Sequence, residues 1–331
     1  MKSMKTLQKE IKLVEKMIKK DVAIETTIKN LYDHIFKSNG KKIRARLNLI
    51  SSSLDRNKNK NFRIKLAAII ELLHTATLVH DDVVDDSSIR RGKKSVNNVW
   101  SNAHGVLIGD YIYSKAFIYM VDIGNQQILQ ELSNATNDIS QGELIQLDAI
   151  NNKEITLNKL KKISYFKTGR LFEASAKTGA LLAGANRKCI ENISKCAKNI
   201  GILFQIKDDL LDYSSNSKTG KPQFQDLKEG KITYPFFYAY KNANNKEKKT
   251  LIDSLGNKKV NTFKILKLIA RLDGINKTKK LAKQFHKNAI IFANEIDNIE
   301  VQREMIELTN TALNREKWHL CHKIHTQSMT L

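Results

Sequence analysis

Two short acidic runs are the residues of this chain whose types and spacing could do chemistry. Each ends an apolar stretch with the hydrophobic rhythm of a buried helix, and they read Asp81-Asp82-Val83-Val84-Asp85 and Asp208-Asp209-Leu210-Leu211-Asp212. Residues four apart share a helix face, so the first and last aspartate of each run project together. Carboxylates stacked on a core helix repel one another and lose hydration, so they require a cation. Oxygen ligands at this density suit Mg²⁺, which commonly bridges carboxylates and substrate phosphates.

Basic residues lie beside these runs or next to glycine-bearing turns, where they could hold a phosphate-bearing ligand. They are Lys41 and Arg44 after Gly40, Arg90 and Arg91 beyond the first run, Lys167 before Thr168, and Lys221 and Lys231, each after a glycine. Arginine grips a diphosphate bidentately, whereas lysine supplies a point charge. His74 lies two helical turns before Asp81 and therefore points towards the same cleft. Any one of these cations would be ordinary surface in so basic a chain, but their closeness to the acidic runs indicates a diphosphate site.

Long helices must position these groups, and the composition predicts them. Only two prolines and 14 glycines occur in 331 residues, and no strand-rich region with turn signals is visible. We predict an all-α chain whose amphipathic first helix, over 4–18, packs on the core or on a partner subunit. Further helices are expected at 106–122, 126–148, 158–184, 188–212, 231–241, 247–254, 262–271, 276–294 and 298–315. Both acidic runs must belong to one domain if they cooperate.

Composition also limits the partners and the compartment. The formal net charge is +23, but the lysines are dispersed without the interleaved aromatics of a stacking platform, so no nucleic-acid partner is expected. Three cysteines make no disulfide framework and suit a reducing cytosol. Neither a secretory signal nor a membrane-spanning stretch is visible. We expect a cytoplasmic protein that touches a membrane at most transiently, through a greasy substrate or product.

In combination, these motifs resemble those of the trans-polyprenyl diphosphate synthases. The matching segments are 78–85 followed by Arg90-Arg91-Gly92, then Lys167-Thr168, then 204–212. Their order and intervals match from Gly40 to about Pro235, and the likeness is greatest to bacterial enzymes that form octaprenyl diphosphate. The resemblance implies a large single-domain helical bundle of the isoprenoid synthase type over 1–317, usually a homodimer. The tail over 318–331 has no counterpart in the family, and its position at a terminus predicts disorder.

The resemblance also implies an Mg²⁺-dependent reaction that joins isopentenyl diphosphate to an allylic diphosphate, expected to be farnesyl diphosphate. It makes Asp81, Asp85 and Asp208 the metal ligands, while Asp82, Asp209 and Asp212 hold metal-bound waters and shape the site. The allylic diphosphate is assigned to Arg90, Lys167, Thr168, Gln205, Lys221 and Lys231, of which Lys167 also belongs to the catalytic set. Isopentenyl diphosphate is assigned to Lys41, Arg44, His74 and Arg91.

Product length is predicted from two small residues one turn before the first acidic run. Short-chain members of the family place aromatic rings at one or both of the positions held here by Ala76 and Thr77, and those rings block the product tunnel. The floor is then expected deeper, at Phe117, Tyr119 or Met120. We predict a long product, octaprenyl diphosphate for a quinone side chain, with a geranylgeranyl or farnesyl product as the alternative.

Two segments depart from the family pattern. The usual Gly-Lys-x-x-Gly-Asp-Asp-Leu is Gly220-Lys221-Pro222-Gln223-Phe224-Gln225-Asp226-Leu227 here, within a candidate lid over 214–230, and Ala45 replaces a proline after Arg44. Neither change removes a predicted metal ligand. A terpene cyclase would mix Asn, Ser or Thr with Glu in its second metal motif, and a non-catalytic regulatory subunit would have lost aspartates from one run. The tail residues His319, Cys321, His322 and His325 fit no closed zinc pattern.

Overall fold

The all-α prediction is confirmed in the computed structural model, which describes residues 2–20, 22–37, 40–55, 60–214 and 224–315. Extended structure in these ranges is confined to a hairpin of two-residue strands, β1 (Ile89–Arg90) and β2 (Lys93–Lys94), which pair antiparallel. The α-helices are α1 (Lys2–Ile18), α2 (Thr26–Phe36), α3 (Ile43–Ser51), α4 (Lys60–Val84), α5 (Val96–Val99), α6 (Asn102–Ile123), α7 (Gln126–Leu147), α8 (Leu157–Ser164), α9 (Arg170–Leu182), α10 (Arg187–Asp212), α11 (Gln225–Lys228), α12 (Tyr234–Asn242), α13 (Asn245–Ile252), α14 (Thr262–Arg271), α15 (Gly274–Asn294) and α16 (Ile299–Leu313).

Two long helices that end in the acidic runs form the centre of the molecule. α4 packs against α1, α3 and α6, while α10 packs against α9, α12, α15 and α16. α9 contacts both sets and joins them, and the buried apolar side chains form one contiguous cluster. On α4, Leu66, Ile69 and Leu73 are fully buried, and each such side chain stabilises the fold by about 1.5–3 kcal/mol. Burial along these two helices therefore fixes where their acidic ends lie.

Asparagine caps the N-terminus of several of these helices. In each case the side-chain oxygen accepts a hydrogen bond from the backbone N–H three residues later, as seen at Asn125, Asn186, Asn244, Asn261 and Asn298. Such caps satisfy N–H groups that have no partner inside the helix, and each contributes about 1 kcal/mol.

The helix predicted over 158–184 contains an interruption. Between α8 and α9 the chain forms a π-helical turn over Tyr165–Gly169, in which the Arg170 N–H donates to the Tyr165 carbonyl five residues earlier. Tertiary contacts described below hold this turn, and periodicity in the sequence cannot reveal it. None of the helices within the described ranges has the length and apolar character needed to cross a bilayer.

Candidate active site

The first acidic run lies at the C-terminal end of α4 and divides its three carboxylates between two directions. The Asp85 N–H donates to the Asp81 carbonyl at 2.8 Å, so helical geometry continues to Asp85 and these two side chains share a face. Both are half-buried. Asp82 is buried and forms an ion pair with Arg90, with its Oδ1 2.5 Å from Nη2 and 2.8 Å from Nε. Asp82 thus anchors the hairpin that carries Arg90, and Asp81 and Asp85 are left facing the cleft.

The second acidic run, at the end of α10, shows the same division. Asp208 is half-buried and forms an ion pair with Arg315, while Asp212 Oδ1 accepts the Gln225 N–H at 3.1 Å. Asp209 is buried, and each of its oxygens has a partner: Oδ1 accepts from Gln205 Nε2 at 2.9 Å, and Oδ2 accepts from the Tyr234 N–H at 3.2 Å. Burial, and then the nearby charge of Asp226, raise the pKa of Asp209 well above its ordinary value.

Two lysines lie beside the first acidic run. Lys231 precedes α12, and its Nζ lies 2.9 Å from Asp85 Oδ1 and 2.7 Å from Glu229 Oε2. Lys167 lies on the π-turn, and its Nζ is 2.8 Å from Glu143 Oε2. Burial alone would lower the pKa of Lys167, but the charges of Asp81 and Glu143 outweigh it, and the pKa is raised. The charges of Asp85 and Glu229 likewise outweigh burial and raise the pKa of Lys231. Both lysines therefore stay protonated beside the first acidic run, where they could bind a diphosphate.

The donor set fits a hard divalent cation that keeps other ligands. In the described part of the chain no three His, Cys, Asp or Glu side chains come close enough to enclose a metal by themselves. Asp81 and Asp85 nevertheless share one helix face and are half-buried, as is Asp208 on α10, which pairs with Arg315. Mg²⁺ usually takes only one or two carboxylates and completes its octahedron with water and phosphate oxygens. The residues thus fit a metal ion that is held jointly with a phosphate ligand.

A second cluster of basic groups lies around the start of α3. Arg44 Nη1 is 3.0 Å from His74 Nε2, and the Arg44 guanidinium stacks on Phe172 with its carbon 4.7 Å from the ring centre. Burial lowers the pKa of Arg44 to about 10, so the side chain stays charged at neutral pH. Burial, and then the positive charges of Arg44 and Arg91, hold the pKa of His74 well below its ordinary value. His74 is therefore neutral and accepts a hydrogen bond from Arg44.

Close approach of the backbone shapes this cluster. A Cβ on Gly40 would lie 2.7 Å from Arg91 Nη1, so only glycine lets the Arg91 guanidinium approach the chain there. Lys41 lies just before α3. The Ala45 N–H donates to Glu71 Oε1 at 3.2 Å, a bond that the proline of the family pattern could not make because it lacks an N–H. Arg44, His74 and Arg91 thus lie close together.

Sequence reasoning missed two charged residues that the fold brings to the site. Arg315 follows α16, is buried, and stacks on Phe204 with its guanidinium carbon 4.0 Å from the ring centre while it pairs with Asp208. Glu143 comes from α7 and pairs with Lys167. Neither has a signal in the sequence, since one cation in a very basic chain and one glutamate in a polar helix look like surface residues.

Some predicted residues lie outside the described ranges. Lys221 is one of them, and so are most of the candidate lid and the tail over 318–331. Phe224 is described and has a left-handed backbone with φ 57° where the family pattern has glycine. Its ring is nonetheless buried and meets Tyr213 edge to face at 5.3 Å between ring centres.

We expect that Phe224→Gly destabilises the protein by about 2 kcal/mol, although it restores the family's residue. Relief of left-handed strain should return about 1–2 kcal/mol, whereas loss of a buried phenyl ring costs about 3–5 kcal/mol. A calorimetric or denaturant melt of the two proteins measures the difference. A glycine variant at least as stable as the parent would show that strain dominates at this position.

Of the two positions assigned to product length, only Thr77 has an accessible side chain. Ala76 is fully buried in the core, whereas Thr77 is half-buried and its hydroxyl donates to the His74 carbonyl at 2.8 Å. Among the proposed floor residues, Phe117 is 39% exposed, and the hydroxyl of Tyr119 faces backbone carbonyls of α1 and the turn after it. α6 packs along α4 and α7 along α9, and α6 has few contacts with α7.

Comparison with known proteins identifies the family. The family model described as polyprenyl synthetase matches residues 25–272. Octaprenyl diphosphate synthase of Escherichia coli strain K12 is 32% identical over 293 residues, which cover 88% of this chain and 90% of that protein. The crystal structure of a decaprenyl diphosphate synthase from Rhodobacter capsulatus matches with a TM-score of 0.87 and 29% identity, over 93% of this chain and 97% of that one.

A further solved structure, a polyprenyl synthase from Caulobacter crescentus CB15 complexed with calcium and isoprenyl diphosphate, matches with a TM-score of 0.85 and 30% identity, over 93% of this chain and 94% of that one. The family model spans most of the chain, and both the relative and the solved structures align over nearly all of it. The protein therefore belongs to the polyprenyl synthetase family and has its all-α isoprenoid synthase fold.

Proposed function

We propose that this protein is a polyprenyl diphosphate synthase that adds isopentenyl diphosphate to an allylic diphosphate. The observation that carries the proposal is the pair of acidic helix ends, on α4 and α10, together with Lys231, which pairs with Asp85, and Lys167, which pairs with Glu143. Carboxylates that need a cation and lysines that need an anion are met together by a metal–diphosphate complex.

We assign Mg²⁺ to Asp81, Asp85 and Asp208, with Asp82 and Asp212 shaping the surroundings. When bound, the metal ion supplies Lewis-acid stabilisation of the departing diphosphate. Lys167, Lys231 and Arg90 stabilise the same developing charge from fixed positions, which is effective because they need no reorganisation during the step. The calcium and isoprenyl diphosphate bound in the Caulobacter crescentus relative support a metal–diphosphate site in this fold.

We assign isopentenyl diphosphate to the cluster of Arg44, His74, Arg91 and Lys41. These residues hold its diphosphate so that its alkene faces the allylic carbon from which the first diphosphate leaves. The new carbon–carbon bond forms at that carbon as its bond to oxygen breaks, and a proton is then lost from the isopentenyl unit to the departed diphosphate. No side chain acts as a nucleophile, so the protein contributes orientation, charge stabilisation and exclusion of water.

We propose a long product, octaprenyl diphosphate destined for a quinone side chain. The small side chain of Thr77 beside the cleft and the octaprenyl- and decaprenyl-forming enzymes among its relatives support this length. Geranylgeranyl or farnesyl diphosphate is the alternative. We take farnesyl diphosphate as the allylic primer and the cytoplasm as the compartment. Burial raises the pKa of the Cys196 thiol to about 12, which makes this thiol unreactive at neutral pH.

We also propose a homodimer formed through α6. One face of this helix exposes large apolar side chains, namely Val106, Leu107, Phe117, Ile118 and Val121, of which Leu107, Ile118 and Val121 are 61–69% exposed. Leu107 and Ile118 are 11 residues apart, about three helical turns, and Val121 follows one turn later, so they form a strip. A second copy of the same strip would cover it isologously.

The experiment that tests the proposed function is an incubation of the purified protein with labelled isopentenyl diphosphate and farnesyl diphosphate, with and without Mg²⁺, followed by sizing of the products. We expect Mg²⁺-dependent long chains. Absence of any elongated product from the folded protein would refute the proposal, and products that stop at geranylgeranyl diphosphate would refute only the chain length.

The two substrate assignments can be separated with Arg44→Ala. This variant should raise the KM for isopentenyl diphosphate about 30-fold or more, because loss of a buried ionic contact costs about 2–5 kcal/mol, and should change the KM for farnesyl diphosphate much less. Lys231→Ala should instead raise the KM for farnesyl diphosphate and change the KM for isopentenyl diphosphate much less. Arg46→Ala is the matched control, since Arg46 lies on the same helix but two residues on and faces elsewhere. Equal weakening of both substrates by Arg44→Ala would show that the sites are assigned wrongly.

A further inference from the structure

A closed ring of hydrogen bonds connects the π-turn to the second acidic run. The Thr168 hydroxyl donates to Gln205 Oε1 at 2.7 Å, and Gln205 Nε2 donates to Asp209 Oδ1 at 2.9 Å. The other oxygen of Asp209 accepts the Tyr234 N–H, and the Tyr234 hydroxyl is 2.9 Å from Ser164 Oγ, just before the π-turn. The ring therefore joins α8, the π-turn, α10 and α12 and returns to its starting point.

The π-turn is also held by close backbone contacts on two sides. A Cβ on Gly142 of α7 would lie 2.7 Å from Phe166 Cβ and 2.9 Å from the Lys167 nitrogen. A Cβ on Gly201 of α10 would lie 2.6 Å from the Gly169 Cα. With both glycines pressed against the turn, its position depends on α7 and α10, and the ring of hydrogen bonds sets its register against α10. Since π-turns often occur at functional sites, contacts that fix the position of this turn can affect the site itself.

We propose that Asp209 and Gln205 are positioning residues for Lys167 and Thr168, and that Asp209 has no part in holding the metal or its waters. Asp209 is 6% exposed, and both of its carboxylate oxygens are engaged away from the cleft. Lys167 lies on this turn, one residue before Thr168, and the turn places its Nζ 2.8 Å from Glu143 Oε2. The second acidic run thus supplies a cleft carboxylate at Asp208 and a framework carboxylate at Asp209. This inference rests on the proposed function, because the allylic diphosphate is what Lys167 is positioned to meet.

The chemistry of the ring allows a test that separates hydrogen bonding from charge. Asp209→Asn can keep every bond if the Gln205 amide turns over, since Asn Oδ1 then accepts from Tyr234 and Asn Nδ2 donates to Gln205 Oε1. Gln205→Glu loses the amide that donates to Asp209 and places a second buried carboxyl group against it, and two buried carboxylates repel each other. The double variant Asp209→Asn with Gln205→Glu exchanges the acid and the amide and restores a complete set of donors and acceptors.

We expect Asp209→Ala and Gln205→Glu to lower kcat/KM for the allylic substrate about 100-fold, the cost of misplacing a catalytic group by about 1 Å. Asp209→Asn and the double variant should stay within about tenfold of the parent. The Kd of an unreactive thiodiphosphate analogue of the allylic substrate, measured by calorimetry, should follow the same order. The Mg²⁺ concentration for half-maximal activity should stay unchanged throughout. Asp253→Asn is the control, since Asp253 is exposed and far along the chain from the ring.

Two outcomes would overturn the inference. In the first, Asp209→Asn lowers kcat/KM for the allylic substrate as much as Asp209→Ala does, and the double variant does not recover it. The other is a shifted Mg²⁺ requirement in the Asp209 variants. If the parent makes no prenyl product, the proposed function fails, yet the ring can still be judged by melting temperature. Gln205→Glu should then lower Tm and the double variant restore it, and a double variant as unstable as Gln205→Glu would reject the ring.

Discussion

Replacing Asp81 or Asp208 by alanine is expected to reduce prenyl transfer by about three orders of magnitude or more while the fold is preserved. Each change removes a proposed metal ligand, and metal stabilisation of a leaving diphosphate contributes several kcal/mol to the transition state. Both side chains are half-buried at helix ends, so their loss leaves the packed cores of α4 and α10 intact. Product formation is measured at saturating Mg²⁺, with circular dichroism to confirm folding.

Asp253→Ala is the control for the two metal-site variants, because Asp253 is an exposed aspartate at the end of α13. It should retain the activity of the parent. Removal of divalent metal by a chelator should abolish the activity of the parent, and added Mg²⁺ should restore it. Near-normal turnover by folded Asp81→Ala or Asp208→Ala would contradict the metal assignment.

Thr77→Phe is expected to shift the product from octaprenyl to geranylgeranyl diphosphate or shorter, with Mg²⁺ dependence unchanged. Thr77 is half-buried one turn before Asp81, so a phenyl ring there would extend into the space through which the growing chain must leave the metal site. Ala76→Tyr should behave differently. Ala76 is fully buried, and overpacking a core site typically costs about 1–3 kcal/mol, so a lower Tm is expected.

Thr77→Val separates size from hydrogen bonding in this test. Valine has nearly the volume of threonine but cannot donate to the His74 carbonyl, so this variant should keep the long product. Chromatographic sizing of labelled products measures all three variants. A Thr77→Phe enzyme that still makes the parent's product would place the tunnel on another face of α4.

Several features of the site follow from the sequence alone, because they depend on local geometry. The acidic runs end apolar helical stretches, and the spacing of four residues puts Asp81 with Asp85 on one face. The helices predicted at 126–148, 188–212 and 262–271 agree closely with α7, α10 and α14, since long periodic stretches without helix breakers have few other ways to fold. Family resemblance correctly identified the polyprenyl synthetase family.

Tertiary structure alone decided the partners of the remaining charges. A residue next to Asp81 or Asp208 points about 100° away on a helix, and periodicity does not say what Asp82 and Asp209 contact. In the folded protein Asp82 pairs with Arg90 of the hairpin, and Asp209 accepts a hydrogen bond from Gln205. Arg315 reaches Asp208 across 107 positions of sequence, and α7 and α10 both pack closely against the π-turn. Such contacts depend on how distant helices pack, and no local pattern of residues encodes them.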